Sequence, residues 1–256
     1  MSSDSSSNNM IFTKLPWGPA AGVLVTAIAF VAAQIFAASI FLAALTMFGW
    51  STNHINSWLN GVFGQFIVVT CSEVVALGIL WLFLRYRRID WRLLGFRRNV
   101  AWKDLGYAVL GFLTYVLIFV IVIALTRALF NINVDQKQEV GFQDVIGGFQ
   151  KLLTFISLVL LPPVAEETLF RGFMFGGFRK KLPFIWATLF TSILFALPHL
   201  FESSHGLLWI GGIDTFILSL VLCYLREKTG ALWAGIVVHM LKNGIAFLAL
   251  YVFVSK

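Results

Sequence analysis

The chain reads as long apolar runs separated by short polar and basic stretches. Seven runs approach or exceed the length of a membrane-crossing helix: Trp17–Phe48, Val62–Leu84, Leu105–Phe130, Leu152–Phe178, Phe184–Leu200, Leu207–Leu225 and Ala231–Val254. A helix needs about 20 predominantly apolar residues to span the hydrocarbon, so each run predicts one span. The first is long enough to tilt strongly or to begin with an interfacial piece. The fourth contains Pro162-Pro163, which predicts a kink or break, because proline removes a backbone donor. Ahead of the first run, Met1–Asn9 is rich in Ser and Asn and predicts a disordered tail. The run from Leu15 to Trp50 is far longer than the roughly 7–15 apolar residues of a signal peptide and lacks a basic leader.

Composition agrees. Of 256 residues, 59% are hydrophobic and 12% charged, with 26 Phe and 9 Trp; mean hydropathy is +0.86. A soluble domain is roughly 45–50% apolar and about 25% charged. Soluble, disordered and disulfide-stapled classes are therefore excluded, and the fold class expected is an all-α polytopic transmembrane bundle of seven spans. The net charge of +7 falls in clusters between spans rather than in one stripe, which excludes a nucleic-acid partner and orients the chain. Arg85, Arg87, Arg88, Arg92, Arg97, Arg98 and Lys103 crowd one loop, Arg179, Lys180 and Lys181 another, and Arg226 and Lys228 a third. The intervening segments Asn131–Lys151 and Phe201–Gly206 are acidic-balanced or lack Lys and Arg. Every loop obeys the positive-inside rule with the N-terminus cytoplasmic, as expected for a bacterial plasma membrane; the endoplasmic reticulum uses the same rule. The organisation expected is a tail at 1–14, two spans and a basic cytoplasmic loop at 15–104, and a helical bundle at 105–254 that carries the polar residues. Within the basic loop, Asp90–Phe96 reads either as a segment lying at the headgroups or as a plain topogenic loop. Internal repeats of the transporter kind are absent from the sequence. Cys71 and Cys223 lie inside apolar runs and read as small buried residues rather than a disulfide.

Charge inside hydrocarbon costs about 2.5–3.5 kcal/mol per residue on insertion scales, so polar residues there are functional candidates. In Glu166-Glu167-Thr168-Leu169-Phe170-Arg171, Glu167 and Arg171 are i,i+4 neighbours. Glu166 is turned about 100° from Glu167, which leaves it without a counter-ion of its own. A carboxylate so placed suits a general base acting on water; the alternative is a structural ion triad. His199 follows Pro198, one turn after Phe195, which is placed to wall a pocket; alone it reads equally as an interhelical donor. His239 and Asn243 are i,i+4 on the last span and project to one face, as an oxyanion hole requires or as helix–helix hydrogen bonding would. Glu73 and Asp214 are weaker candidates without a spaced partner, and His54, Glu202 and His205 fall in expected loops.

Glu166-Glu167-x-x-x-Arg171, Phe195-x-x-x-His199 and His239-x-x-x-Asn243, in this order on separate spans, resemble the CPBP family of CAAX-processing and bacteriocin-processing proteins, also called the Abi or type II CAAX prenyl endopeptidase family. The resemblance covers roughly 106–254. It implies an intramembrane endopeptidase acting on a membrane-associated peptide or protein, prenylated CAAX-type or leader-type. By position, Glu166 and His199 activate water, His239 and Asn243 stabilise the oxyanion, and Glu167 and Arg171 orient Glu166. Family members are often called metalloproteases. Glu166, His199 and His239 would offer a zinc ion three ligands and an open position, yet the His-Glu-x-x-His helix is missing and a metal-free Glu/His site uses the same residues; the metal-free version is preferred. A non-proteolytic scaffold or a proton-coupled transporter would use the same buried groups. One tension arises from depth. His239 lies 8 residues from Ala231, Glu166 13 from Arg179 and His199 16 from Pro183, a spread of about 12 Å at about 1.5 Å per residue.

Overall fold

A computed structural model describes residues 12–130, 141–203 and 206–253. The expectations for residues 1–11, for Asp135, Lys137 and Glu139 of the 131–151 segment, for His205 and for Val254 fall outside these. Among the described residues the chain is helical without strands, and seven helices are long and apolar enough to cross a membrane. These are α1 (Pro19–Met47), α3 (Val62–Tyr86), α4 (Trp102–Phe130), α5 (Gly148–Arg179), α6 (Phe184–Ala196, extended by a 3₁₀ turn Pro198–Phe201), α7 (Trp209–Thr229) and α8 (Trp233–Leu248, continued by a π turn to Phe253). A short α2, Thr52–Asn60, sits between the first two spans. Its polar composition gave no apolar signal; Ser51 caps it by accepting from the His54 amide at 3.4 Å.

The protein is therefore an integral multi-pass membrane protein. Leu24, Ile28, Ile35, Leu117 and Ile121 are exposed on the outer faces of α1 and α4, as lipid-facing residues must be. The opposite face of α1 is small. Gly22, Thr26, Ala29, Ala33 and Ala37 are its buried residues, and small residues let helices approach closely where lipid removes the usual hydrophobic drive. A Cβ on Gly177 would stand 2.8 Å from the Gly18 carbonyl, and one on Gly22 3.2 Å from that of Met174. The residues just before α1 are also drawn in: Phe12, Leu15 and Trp17 are buried, with Trp17 stacked on Phe173 at 4.9 Å.

Helix α5 is the axis of the bundle, and it departs from α geometry twice, at Ile156–Leu160 and Glu167–Met174, where it adopts π turns. The first coincides with the proline pair. The expected kink or break takes the form of a widened turn in a helix that continues to Arg179. Pro162 and Pro163 are the residues that would donate to the Leu158 carbonyl in α or π register, and neither has an N–H. The second π turn leaves carbonyls that accept from outside the helix: Thr26 Oγ1 donates to Leu169 O at 3.2 Å and Trp17 Nε1 to Phe173 O at 2.9 Å.

The Asp90–Phe96 segment docks onto the bundle. Asp90 caps a 3₁₀ turn, Trp91–Leu94, whose Leu94 is buried against Gly172, while Phe96 meets Trp233 edge-on at 5.3 Å. Beyond it, Arg98 grips Asp104, in the first turn of α4, with two bonds of 2.5 and 2.6 Å. That bidentate pairing holds the guanidinium above its ordinary pKa. Cys71 and Cys223 are both free thiols.

Candidate active site

The polar residues singled out in the sequence gather where α5, α6 and α8 meet, around the ring of Phe195. Glu167 and Arg171 are sealed from solvent and joined by a 2.9 Å ion pair; the π turn keeps them on one face. Arg171 lies over the Phe195 ring, 4.1 Å from its centroid. The His239 ring meets Phe195 edge-on at 6.0 Å, and His199 sits 5.3 Å away on the same ring. Phe195 is thus the surface that a residue of each motif touches.

Helical phase anticipated the division of labour between the carboxylates. Arg171 is spent on Glu167, and Glu166 has no guanidinium partner. Its Oε2 is buried and makes no hydrogen bond within the protein; the nearest cation-forming atom is His239 Nε2 at 3.8 Å. The other ring nitrogen, Nδ1, lies 3.3 Å from Glu167 Oε1, so His239 bridges the two carboxylates. Gly235, one turn earlier on α8, leaves room here: a Cβ on it would stand 3.1 Å from Glu167 Oε2.

Two residues are placed otherwise than the single-point arrangement implies. His199 does not pair with Glu166. Its Nδ1 lies 3.0 Å from the Phe195 carbonyl, which can only accept, so Nδ1 carries the proton and the neutral ring keeps its lone pair on Nε2. That nitrogen is 3.7 Å from Glu202 Oε1. The depth difference counted along the sequence is closed between Glu166 and His239, and His199 joins the group through the Phe195 ring. Asn243 donates from Nδ2 to Leu158 O at 2.9 Å, filling the carbonyl that the proline pair leaves without a backbone donor. One of its two N–H groups is engaged there. Asn243→Leu should therefore destabilise the protein by about 1–3 kcal/mol, the cost of an unsatisfied buried carbonyl. Pro162→Ala, which restores a backbone donor, should recover part of it in the double variant. Thermal unfolding in detergent across the four-member cycle measures both.

Sequence reading passed over three side chains. Asp214 does have partners, supplied by tertiary structure: it accepts a hydrogen bond from Tyr115 Oη and an ion pair of 3.0 Å from Lys242. Lys242, in the middle of the last motif, was legible as a charge inside an apolar span. Glu202, read as a solvated loop residue, faces His199 at i+3. His54, by contrast, lies on α2 beside Trp50, away from the group.

The metal reading was tested on the donor set. Among the described residues, no three His, Cys, Asp or Glu side chains converge as a metal site. Glu166 and His239 face each other, but both ring nitrogens of His199 point to other partners. The three do not fit a shared zinc ion in this arrangement.

Fold and site together define a polytopic membrane protein with a carboxylate–imidazole group enclosed among its helices. Its residues 148–245 match the family model described as type II CAAX prenyl endopeptidase Rce1-like, which bears out the resemblance read from the three motifs. Three curated relatives are similar over part of their length. The "Uncharacterized 24.3 kDa protein" of Escherichia coli is 32% identical over 93 residues, 35% of this chain and 40% of its own length. The "Putative membrane peptidase YdiL" of Bacillus subtilis (strain 168) is 28% identical over 114 residues, 44% of this chain and 43% of its own. The UPF0177 protein YxdF of Lactococcus lactis is 30% identical over 106 residues, 41% of this chain and 54% of its own. The matches thus span about half, or less, of these relatives. No solved structure matches the chain.

Proposed function

We propose that this protein is an intramembrane endopeptidase that hydrolyses a peptide bond of a membrane-associated protein, with water activated at Glu166 and without a metal. The observation that carries the proposal is the split of the carboxylate pair: Glu167 is neutralised by Arg171, while Glu166 keeps a buried oxygen free of hydrogen bonds within the protein. The Rce1-like match over 148–245 and the name of the Bacillus subtilis relative support the same reaction class.

Glu166 takes a proton from water as the oxygen adds to the substrate carbonyl. His199, which the motif resemblance assigns to the same water, reaches it by turning Nε2 away from Glu202. The oxyanion that forms is met by the N–H of Asn243 not used by Leu158, beside the His239 ring. Glu167 fixes the His239 ring, and Arg171 fixes Glu167. The proton held by Glu166 passes to the leaving amine as the C–N bond breaks. The substrate is a prenylated CAAX-type or leader-type protein held in the bilayer, and the basic α3–α4 segment faces the cytoplasm of a bacterial cell.

Because the proposed chemistry uses no metal, incubation with a strong chelator should leave the cleavage rate of purified protein unchanged. Loss of activity that added zinc restores would overturn the metal-free mechanism. Comparing the termini of membrane proteins from cells carrying wild type or Glu166→Gln at equal expression tests the activity itself. New termini found only with wild type support it; identical termini, with the variant rescuing a deletion phenotype, refute it.

A further inference from the structure

A second polar feature runs away from Glu167 toward the α5–α6 turn, and the proposed chemistry does not use it. Helices α6 and α7 are antiparallel, and their register is fixed where the chain turns: the Leu208 amide donates to Leu200 O at 2.8 Å, and a Cβ on Gly211 would stand 3.1 Å from His199 O. Extended along both helices, this register sets Ser192 opposite Ser219 and Thr188 opposite Cys223. Each of these side chains is on the buried face of its helix. The hydroxyls of Thr188, Ser192 and Ser219 make no hydrogen bond within the protein, although Thr191 and Thr215 on the same helices bond to carbonyls one turn back.

Arg171 points into this seam. Its side chain is fully buried, and it uses Nη1 for Glu167, while Nε and Nη2 make no hydrogen bond within the protein. It is seated on Phe195, one turn from Ser192, and Cys223 lies within hydrogen-bonding reach of both Arg171 and Ser219. Glu167 Oε2 is likewise unpaired. Unsatisfied buried polar groups are rare in folded proteins and costly to leave unpaired. This set includes guanidinium donors, one carboxylate acceptor and three hydroxyls that do both, and the Arg171–Glu167 pair already cancels the charge. A neutral molecule that donates and accepts fits it, and water is the small one that does.

We propose that the seam between α5, α6 and α7 binds a row of water molecules that completes the hydrogen bonding of Arg171 and Glu167 and links the Glu166 site to the α5–α6 end of the bundle. The hydration stands by itself; its use as the supply of reacting water rests on the proposed hydrolysis.

The test is X-ray radiolysis of the intact protein in detergent, which turns bound water into hydroxyl radicals beside it, read by mass spectrometry at Cys223. Wild-type Cys223, fully buried, should resist a bulky alkylating reagent yet be oxidised rapidly on irradiation. Thr188→Val/Ser192→Ala/Ser219→Ala should slow that oxidation several-fold; should the triple variant not fold, Ser219→Ala alone should slow it as well. Equal oxidation in wild type and folded variant, or none in wild type, overturns the proposal. The labelling needs no catalysis, so Glu166→Gln should label as wild type does, and a protein that labels but never cleaves refutes the protease reading and leaves the seam. If cleavage is present, the triple variant should lower kcat several-fold with KM unchanged; an unchanged kcat overturns the supply role.

Discussion

Glu166→Gln should fold as wild type does and cleave its substrate about 10²–10⁴-fold more slowly, the range that a positioned general base contributes. The substitution preserves shape and removes only the capacity to take a proton. The local structure has little reason to respond: Glu166 makes no ion pair with Arg171, and its Oε2 no hydrogen bond within the protein. Glu167→Gln is the informative contrast. It removes charge one residue away, but from a carboxylate that is committed to Arg171 and His239, so its effect should appear in stability as well as rate. Initial rates on one substrate, with thermal unfolding of each variant, separate the two. A Glu166→Gln protein that cleaves at the wild-type rate would show that the base is another group.

Arg171→Met should be among the most damaging single changes to the fold, costing about 3–5 kcal/mol, because it leaves Glu167 as a buried charge without its partner. Its guanidinium also covers the Phe195 ring, so the ring that His199 and His239 touch loses a neighbour with it. Removing both charges, Arg171→Met with Glu167→Gln, should recover much of that stability, since a buried pair is often worth little more than the apolar groups that replace it. Activity should not return with stability, because His239 loses the carboxylate that fixes its ring. Unfolding midpoints across the double-mutant cycle measure the coupling; a single variant as stable as wild type would mean that the pair is not sealed from water.

The spans were legible because lipid demands long apolar runs, and the seven helices begin and end close to the seven runs read from composition. The carboxylate split was legible too, since Glu167 and Arg171 are local to one helix and their phase follows from 3.6 residues per turn. What escaped were features whose partners are distant in sequence. Nothing in Leu158-Val159-Leu160-Leu161-Pro162-Pro163 says that an asparagine 85 residues on will serve the stranded carbonyl. Asp214 looked alone because Tyr115 and Lys242 lie on other helices. The polar α2 carried no membrane signal at all.

By itself, then, the sequence determined that the chain lives in lipid as a helical bundle, which residues are too polar to be there by chance, and which of two adjacent glutamates is left without a counter-ion. These follow from solvent and helical phase, which are local. Only the tertiary structure decided that the motifs meet on the ring of Phe195, that His199 turns to the Phe195 carbonyl and Glu202 rather than to Glu166, and that Asn243 repairs the backbone behind the proline pair. Those outcomes depend on how helices tilt, approach and stagger, which small residues on α1 and the π turns of α5 set through packing that no single segment encodes.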